Sequence, residues 1–407
     1  MSIFILFRFF FLGLLWIPIN ADDVPILGIS SCVYSGSYDE SGAYGIVLPM
    51  PVSSLALQCT SFIYDGIIYN GSNANGSIAN SSIAISSIAN SLIAYSSIAD
   101  SSIANGSIAV QPFASINNIN ALIASGKKVF LIYTHGSLTQ WSTSLNNNSI
   151  NTEKEQLSLF LQNNSVSGII LKDLDYNYDD HLPFTIDTTF YTHLKDYILS
   201  MKQSSTDLKI GLYVNASNII SYSIDTSTQD FFNFTILNDA VDFYIIEFDG
   251  FNPCNDKFRG GIVPLCGPKS LVSFTSAFNS TMIPSNKTYI QFSVNPNPDA
   301  AENNLPINGI TYQKLCEDSK YQKLWCADNS DSLYYKGRFA KETINAQGIV
   351  VKYIDAIDPA GSCNCDSKNQ FITFQMMLRG FTQADPIKDC SPINNLTAVN
   401  CGKDGNP

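Results

Sequence analysis

The chain has 407 residues, with 23 Lys and Arg against 35 Asp and Glu, a formal charge of −12 and 45% hydrophobic residues. So acidic a balance argues against nucleic acid or an anionic membrane surface as partner, and the length and apolar content suit one large core. Residues 1–21, with Arg8 inside a Phe/Leu/Ile run and Ile19-Asn20-Ala21 as a cleavage site, read as a secretory signal. No later run approaches the apolar length of a membrane span, so a soluble extracellular protein is expected. Ten cysteines fit that oxidising setting and allow up to five disulfides.

Pro25 to Tyr34 and Leu57 to Tyr64 read as strands. Residues 71–109 then carry a low-complexity insertion with seven successive pentads, from Asn75-Gly-Ser-Ile-Ala79 to Asn105-Gly-Ser-Ile-Ala109. A period of five suits neither a helix nor a flat strand. A pentapeptide β-helix would use the Ile and Ser positions, but seven pentads make too few coils to stack. A glycosylated loop is the better reading. Ser115 to Ser125 reads as a helix, Lys127 to Tyr133 as a strand, and Asn151 to Gln162 as an amphipathic helix capped by Thr152. A strand at Gly168 to Leu171, a helix at Thr188 to Lys202 and strands at Leu208 to Val214 and Lys287 to Val294 follow. Such alternation predicts a parallel sheet.

The chemistry concentrates after Gly168-Ile-Ile-Leu171. There Asp173, Asp175 and Asn177 alternate with Leu174, Tyr176 and Tyr178. In a strand, that period of two sets the three polar side chains on one face at its C-terminal end. The run also opens like an EF-hand loop. However, Tyr178 stands where that loop needs Gly, and Phe184 where it needs a bidentate Glu.

The same stretch resembles strand four of the family-18 glycoside hydrolases, the chitinase family, whose signature reads G-F-D-G-x-D-x-D-W-E-Y. Asp173 and Asp175 fall on two of its aspartates, Tyr178 on its final tyrosine, and Asn177 on its catalytic Glu. Leu57-Gln-Cys59-Thr-Ser-Phe-Ile-Tyr64 is similar to C-T-H-I-I-Y-A-F of strand two. Ala240 to Phe251 is similar to strand six, V-D-F-I-N-L-M-T-Y-D-F. Gln347 to Asp358 is similar to strand eight, G-A-M-V-W-A-L-D-L-D-D, with Lys352 at the Trp. The resemblance implies a (β/α)8 TIM barrel over residues 22–382, carrying the pentapeptide-repeat insertion after strand two. Phe371 to Phe381 would be the closing helix, and 383–407 a disulfide-stapled tail. It also implies the disulfides Cys32–Cys59 and Cys316–Cys363. Cys254 and Cys266, in one loop, are expected to pair with each other, Cys326–Cys365 is set beside Cys316–Cys363, and Cys390–Cys401 would staple the tail. Eleven N-x-Ser/Thr sequons, at Asn70, Asn75, Asn80, Asn105, Asn147, Asn163, Asn215, Asn233, Asn279, Asn286 and Asn395, are candidate glycosylation sites.

In the family the Glu is the general acid, and the substrate's acetamido group acts as nucleophile, a route outside the two-carboxylate rule. An amide donates no proton at neutral pH, and a placed general acid is worth about 10²–10⁴ in rate. Either alignment of strand six removes the Tyr hydroxyl that holds the acetamido oxygen, by placing Asp249 there or beside it. Lys352 removes the Trp floor, and Ile132-Tyr133-Thr134-His135 replaces the S-x-G-G turn after strand three. Together these changes imply a secreted pseudoenzyme with no intact catalytic set. It would bind chitin-type oligosaccharide weakly, or an unknown protein partner. A divergent hydrolase using Asp175, Asp179 or Asp180, and an effector glycoprotein displaying its repeat, remain the alternatives. Lys352 is expected to neutralise Asp173 and Asp175, with Glu247 and Asp249 crowding the same mouth. His135 and His181 fall on loops and His193 on a helix, without zinc spacing, and read as surface or packing residues. No nucleophile elbow occurs. No metal or cofactor is expected.

Overall fold

The computed structural model describes residues 25–36, 50–69, 108–110, 116–146, 150–174, 189–224, 234–252, 254, 263, 270–294, 296–298, 312–318, 325–358, 361–363, 365, 369–388 and 390–394. Residues 1–21, all but the last two residues of the pentads, and Asp175 to His181 lie outside them.

Eight parallel strands form a ring: β1 (Ser30–Tyr34), β2 (Ser61–Tyr69), β3 (Lys128–Thr134), β4 (Gly168–Lys172), β5 (Lys209–Asn215), β6 (Phe243–Glu247), β7 (Thr288–Ser293) and β8 (Gly348–Lys352). The ring closes because β1 pairs with both β2 and β8. Around it lie α1 (Ile116–Ala124), α2 (Leu138–Leu145), α3 (Ile150–Asn163), α4 (Phe190–Ser204), α5 (Ala216–Ile224), α6 (Leu271–Ser280), α7 (Ser330–Arg338) and α8 (Ile372–Phe381). This is a (β/α)8 barrel.

Its strands are apolar on both faces because each face meets a core. Inward, Val33, Ile63, Phe130, Ile132, Ile170, Tyr213, Phe243, Ile245, Tyr289 and Val350 fill the lumen over Leu27. Phe130 meets Phe243 edge-on at 5.7 Å, and Phe243 meets Tyr289 at 5.9 Å. Gly168 and Gly211 face these rings. A Cβ on Gly211 would collide with Phe243, so the glycine makes room for the aromatic. Outward residues such as Leu131, Leu171, Leu212 and Ile246 pack with the helices in a second, larger core. Full burial of each such side chain stabilises by roughly 1.5–3 kcal/mol.

Several boundaries differ from those read in the sequence. Gly28 closes a turn onto Pro25 at φ 75°, so β1 begins at Ser30. Strand six ends at Glu247, and Phe248 to Phe251 is a turn with Gly250 at φ 63°. Strand eight ends at Lys352, before a 3-10 turn at Ile354–Ala356. Helix α2 is additional: Ser137 accepts from Gln140 N, while Leu138, Trp141 and Leu145 bury one stripe of a mostly polar segment. Helix α3 begins at Ile150, so Thr152 lies inside its first turn instead of capping it. Strand β2 runs on to Tyr69 and pairs antiparallel with Ile108–Val110. Thus Ile108 and Ala109 of the last pentad belong to a strand.

Cys32 is bonded to Cys59 and Cys316 to Cys363, the two pairings the resemblance implies. The other three pairings are corrected and lie in part beyond the described residues. Cys254 bonds Cys326, not Cys266, and Cys365 bonds Cys390, so neither Cys326–Cys365 nor Cys390–Cys401 forms. The short antiparallel pairing of Asn297–Pro298 with Trp325–Cys326 holds Cys326 in place. Cys266 and Cys401 lie outside the described residues. Among the sequons, Asn163, Asn279 and Asn286 are exposed, whereas Asn215 ends β5 half-buried and accepts from Ser217 N. The other seven lie outside the described residues.

Candidate functional site at the barrel mouth

Counting inward positions to the strand ends gives the mouth: Lys172 on β4, Asn215 on β5, Glu247 on β6, Ser293 on β7 and Lys352 on β8. Lys172 Nζ stands 3.4 Å from Glu247 Oε2, and both side chains are almost wholly buried. The same ammonium lies 5.2 Å from the centre of the Tyr213 ring, and Tyr213 OH donates to Gln291 Oε1 at 2.9 Å. Gln291 is fully buried, on the β7 position in register with Glu247. A second pair joins Lys352 Nζ to Asp249 Oδ2 at 2.5 Å. Lys352 also lies 5.1 Å from the ring centre of Tyr353. Two ammonium–carboxylate pairs therefore neutralise a poorly solvated mouth, where an unpaired charge would be costly.

The sequence sets Lys352 against the strand-four aspartates. The structure gives it Asp249, from the turn after β6, and brings in Lys172, which the sequence reading passed over. Strand β4 keeps its alternation only as far as Lys172, and Asp173 then takes a left-handed φ of 60°. Stepping by two from Gly168 through Ile170 arrives at Lys172, and that count was the available signal. Asp173 turns toward β3 and accepts from Thr134 Oγ1, which in turn accepts from Gly136 N. Leu174 is buried in the outer core. Asp175, Asn177, Tyr178, Asp179 and Asp180 lie outside the described residues.

Two further aspartates fix the exit of β8. Asp355 is buried and accepts from Ser35 N, Ser35 Oγ and Gly36 N at 3.0, 2.9 and 3.1 Å, clasping the end of β1. Burial pushes its carboxyl above the ordinary range, and these hydrogen bonds oppose the shift. Asp358 accepts from Ser362 N and Cys363 N and is likewise raised by burial.

Beyond the end of β3, His135 is buried and hydrogen-bonded, the packing alternative of the sequence reading. Its Nε2 lies 3.0 Å from Glu153 Oε1, and its Nδ1 lies 3.0 Å from Ser144 Oγ. Glu153, 1% exposed on α3, also accepts from Tyr133 OH and Tyr197 OH at 2.7 and 3.2 Å. The Trp141 ring lies over the imidazole, centre to centre 4.0 Å, and its Nε1 donates to the carbonyl of Lys172. His193 is half-buried on α4, and His181 lies outside the described residues. Among the described residues, no group of three or more His, Cys, Asp or Glu is disposed to hold a metal ion. Within the same residues, no helix is long and apolar enough to cross a membrane.

No family model matches the sequence, and no curated protein matches it. Solved structures do. Group II chitinase catalytic domain 2 of Ostrinia furnacalis aligns with a TM-score of 0.60 at 12% identity, over 89% of this chain and 98% of that one. Human YKL-39, described as a pseudo-chitinase with retained chitooligosaccharide binding properties, aligns with a TM-score of 0.57 at 14% identity, over 87% and 99%. The immunomodulatory active chitinase of Trichuris suis aligns with a TM-score of 0.56 at 12% identity, over 86% and 98%. At these identities the likeness is one of fold. The barrel is that of chitinases and chitinase-like proteins, among which active enzymes and a pseudo-chitinase both occur.

Proposed function

We propose that this chain is a secreted chitinase-like protein that binds chitin-type oligosaccharide, or a protein partner, at the barrel mouth without hydrolysing it. The observation that carries the reading is the Lys352–Asp249 pair. By the family resemblance, Lys352 stands at the Trp that floors the central sugar, and Asp249 at or beside the Tyr that holds the acetamido oxygen. An ion pair there offers a sugar ring neither a stacking face nor a phenol. Asn177, at the position of the general acid, removes the proton source. Retained binding by the pseudo-chitinase YKL-39 supports the view that this fold can lose turnover and keep a ligand. Secretion rests on the N-terminal signal together with the disulfides, which persist in oxidising compartments.

Without the stacking platform, affinity is expected near the millimolar range, about −4 kcal/mol. Titration calorimetry with N-acetylglucosamine hexamer, alongside a fluorogenic chito-oligosaccharide assay, tests the reading. Weak saturable binding without fluorophore release supports it. Steady release above the buffer rate overturns it in favour of a divergent hydrolase.

A further inference from the structure

The cluster after β3 contains a second arrangement, independent of the sugar-binding reading. We propose that Ser144, His135 and Glu153 form a reactive-serine site that accepts small acyl esters. A hydroxyl, an imidazole and a carboxylate stand in one line, with 3.0 Å from Ser144 Oγ to His135 Nδ1 and 3.0 Å from His135 Nε2 to Glu153 Oε1. In the tautomer that donates Nε2–H to Glu153, Nδ1 presents its lone pair to the serine. The two tyrosine hydroxyls on Glu153 and the Trp141 ring against the imidazole fix the acid and the base in place. Nucleophile, base and orienting acid within hydrogen-bond reach define such a site by geometry, whatever the fold or the order in sequence.

The location fits the chemistry. His135 directly follows β3 and packs against Tyr133 and Trp141 of the outer core, between the barrel and its helices. Ser144, in the last turn of α2, is only half-buried, whereas His135 and Glu153 are 4% and 1% exposed. The nucleophile is thus the member of the line that an external ester can reach. Ser144 Oγ attacks the ester carbonyl carbon and passes its proton to His135 Nδ1. The tetrahedral adduct collapses, the C–O bond to the alcohol breaks, and the alcohol leaves with that proton. Water then attacks the acyl-serine and gives its proton to Nδ1. The carboxylic acid departs as Ser144 Oγ recovers the proton. Ester and water become acid and alcohol, with no other reactant.

The test uses the full purified chain with a fluorescent alkyl fluorophosphonate and, separately, p-nitrophenyl acetate. One probe molecule per chain is expected, mapped by mass spectrometry to Ser144, at a rate about 100-fold or more above heat-denatured protein. Ser144→Ala, checked for folding by circular dichroism, should abolish labelling. Glu153→Gln should slow it about tenfold or more. No labelling of the native chain, labelling at another serine, or labelling that persists in Ser144→Ala overturns the proposal. A purely structural role for Ser144 would change melting temperature but leave no adduct on wild type. Should Ser144→Ala fail to fold, the mapped site on wild type decides alone.

Discussion

Lys352 Nζ and Asp249 Oδ2 meet at 2.5 Å although their strands are not neighbours, since β7 lies between β6 and β8. The lysine leans across the strand ends to reach a carboxylate offered by the turn after β6. That contact puts charge where the chitinase-like reading of strand eight has an indole. The two side chains keep 14% and 25% exposure, so the pair is shielded without being sealed. Lys352→Met should cost about 1–3 kcal/mol, less than a fully buried pair because water reaches both ends. Adding Asp249→Asn should recover part of the loss, because the stranded carboxylate is then gone. Urea unfolding of the four chains of this cycle measures the coupling. A coupling of zero, with Lys352→Met as stable as wild type, would sink the idea that the pair organises the mouth.

Asn177→Glu alone should yield no chitinase activity. A restored acid supplies only its own share of the rate, while Lys352 and Asp249 leave the substrate unplaced. Release of fluorophore from a chito-oligosaccharide by this single variant would refute the view that the site is dismantled at several positions.

Stability should carry a signature of Asp355. Its folded-state pKa is raised by burial, so the folded chain holds that proton more tightly than the unfolded chain. The associated stability is fully present below the ordinary carboxylate range and is lost as pH rises through the raised value. Asp355→Asn removes this titration but replaces one of the two accepting oxygens with an amide N–H, which then faces Ser35 N or Gly36 N. The variant should therefore lie furthest below wild type at low pH, and the gap should narrow as pH increases from about 4. Thermal melts of both chains across that interval check the sign. A gap that widens with pH would falsify the assignment.

The insertion should be removable if its base is respected. Tyr69 pairs with Ile108 and Ile67 with Val110, so the excision must stop short of residues 108–110. Deleting 72–106 and joining the ends with a short Gly/Ser link should shift the melting temperature by less than about 4 °C, since loop length costs only about 0.6 kcal/mol per doubling. The longer cut of 71–109 should cost more, because it strips the edge of β2. Equal melting of the two deletions would show that the stem contributes nothing.

Non-reducing peptide mapping should recover Cys254 linked to Cys326 and Cys365 linked to Cys390. Cys326→Ser should then destabilise by about 2–5 kcal/mol. A recovered Cys254–Cys266 peptide would contradict the arrangement.

The barrel was legible because its strands are apolar on both faces and separated by helical segments. That signal is local, and it located six of the strands, while strands six and eight were read from the family resemblance. The mouth was legible only in part. Lys172 was passed over because the alternation was counted from Asp173, where the backbone has already left the strand. Cys254 and Cys326 are 72 residues apart, so proximity in the chain misled where proximity in the fold decides. The Ser144–His135–Glu153 line was not visible either. Its members come from a loop and two consecutive helices, the first of which was not read in the sequence. Short-range patterns report elements, and sites are assembled from the spatial order of their ends.

The clasp of Asp355 on Ser35 and Gly36 spans 320 residues of sequence. It lies on the β1–β8 seam, where the first strand of the ring meets the last. During synthesis β1 can pair with β2, and Cys32 with Cys59, soon after both leave the ribosome. The other edge of β1 waits until nearly the whole chain has emerged. Domain folding from the N-terminus therefore passes through an open, curved sheet with one unpaired edge. The ring is completed only when β8 arrives and Asp355 seals the join, which makes closure the step of highest contact order and the one that sets when the protein becomes safe from edge-to-edge association.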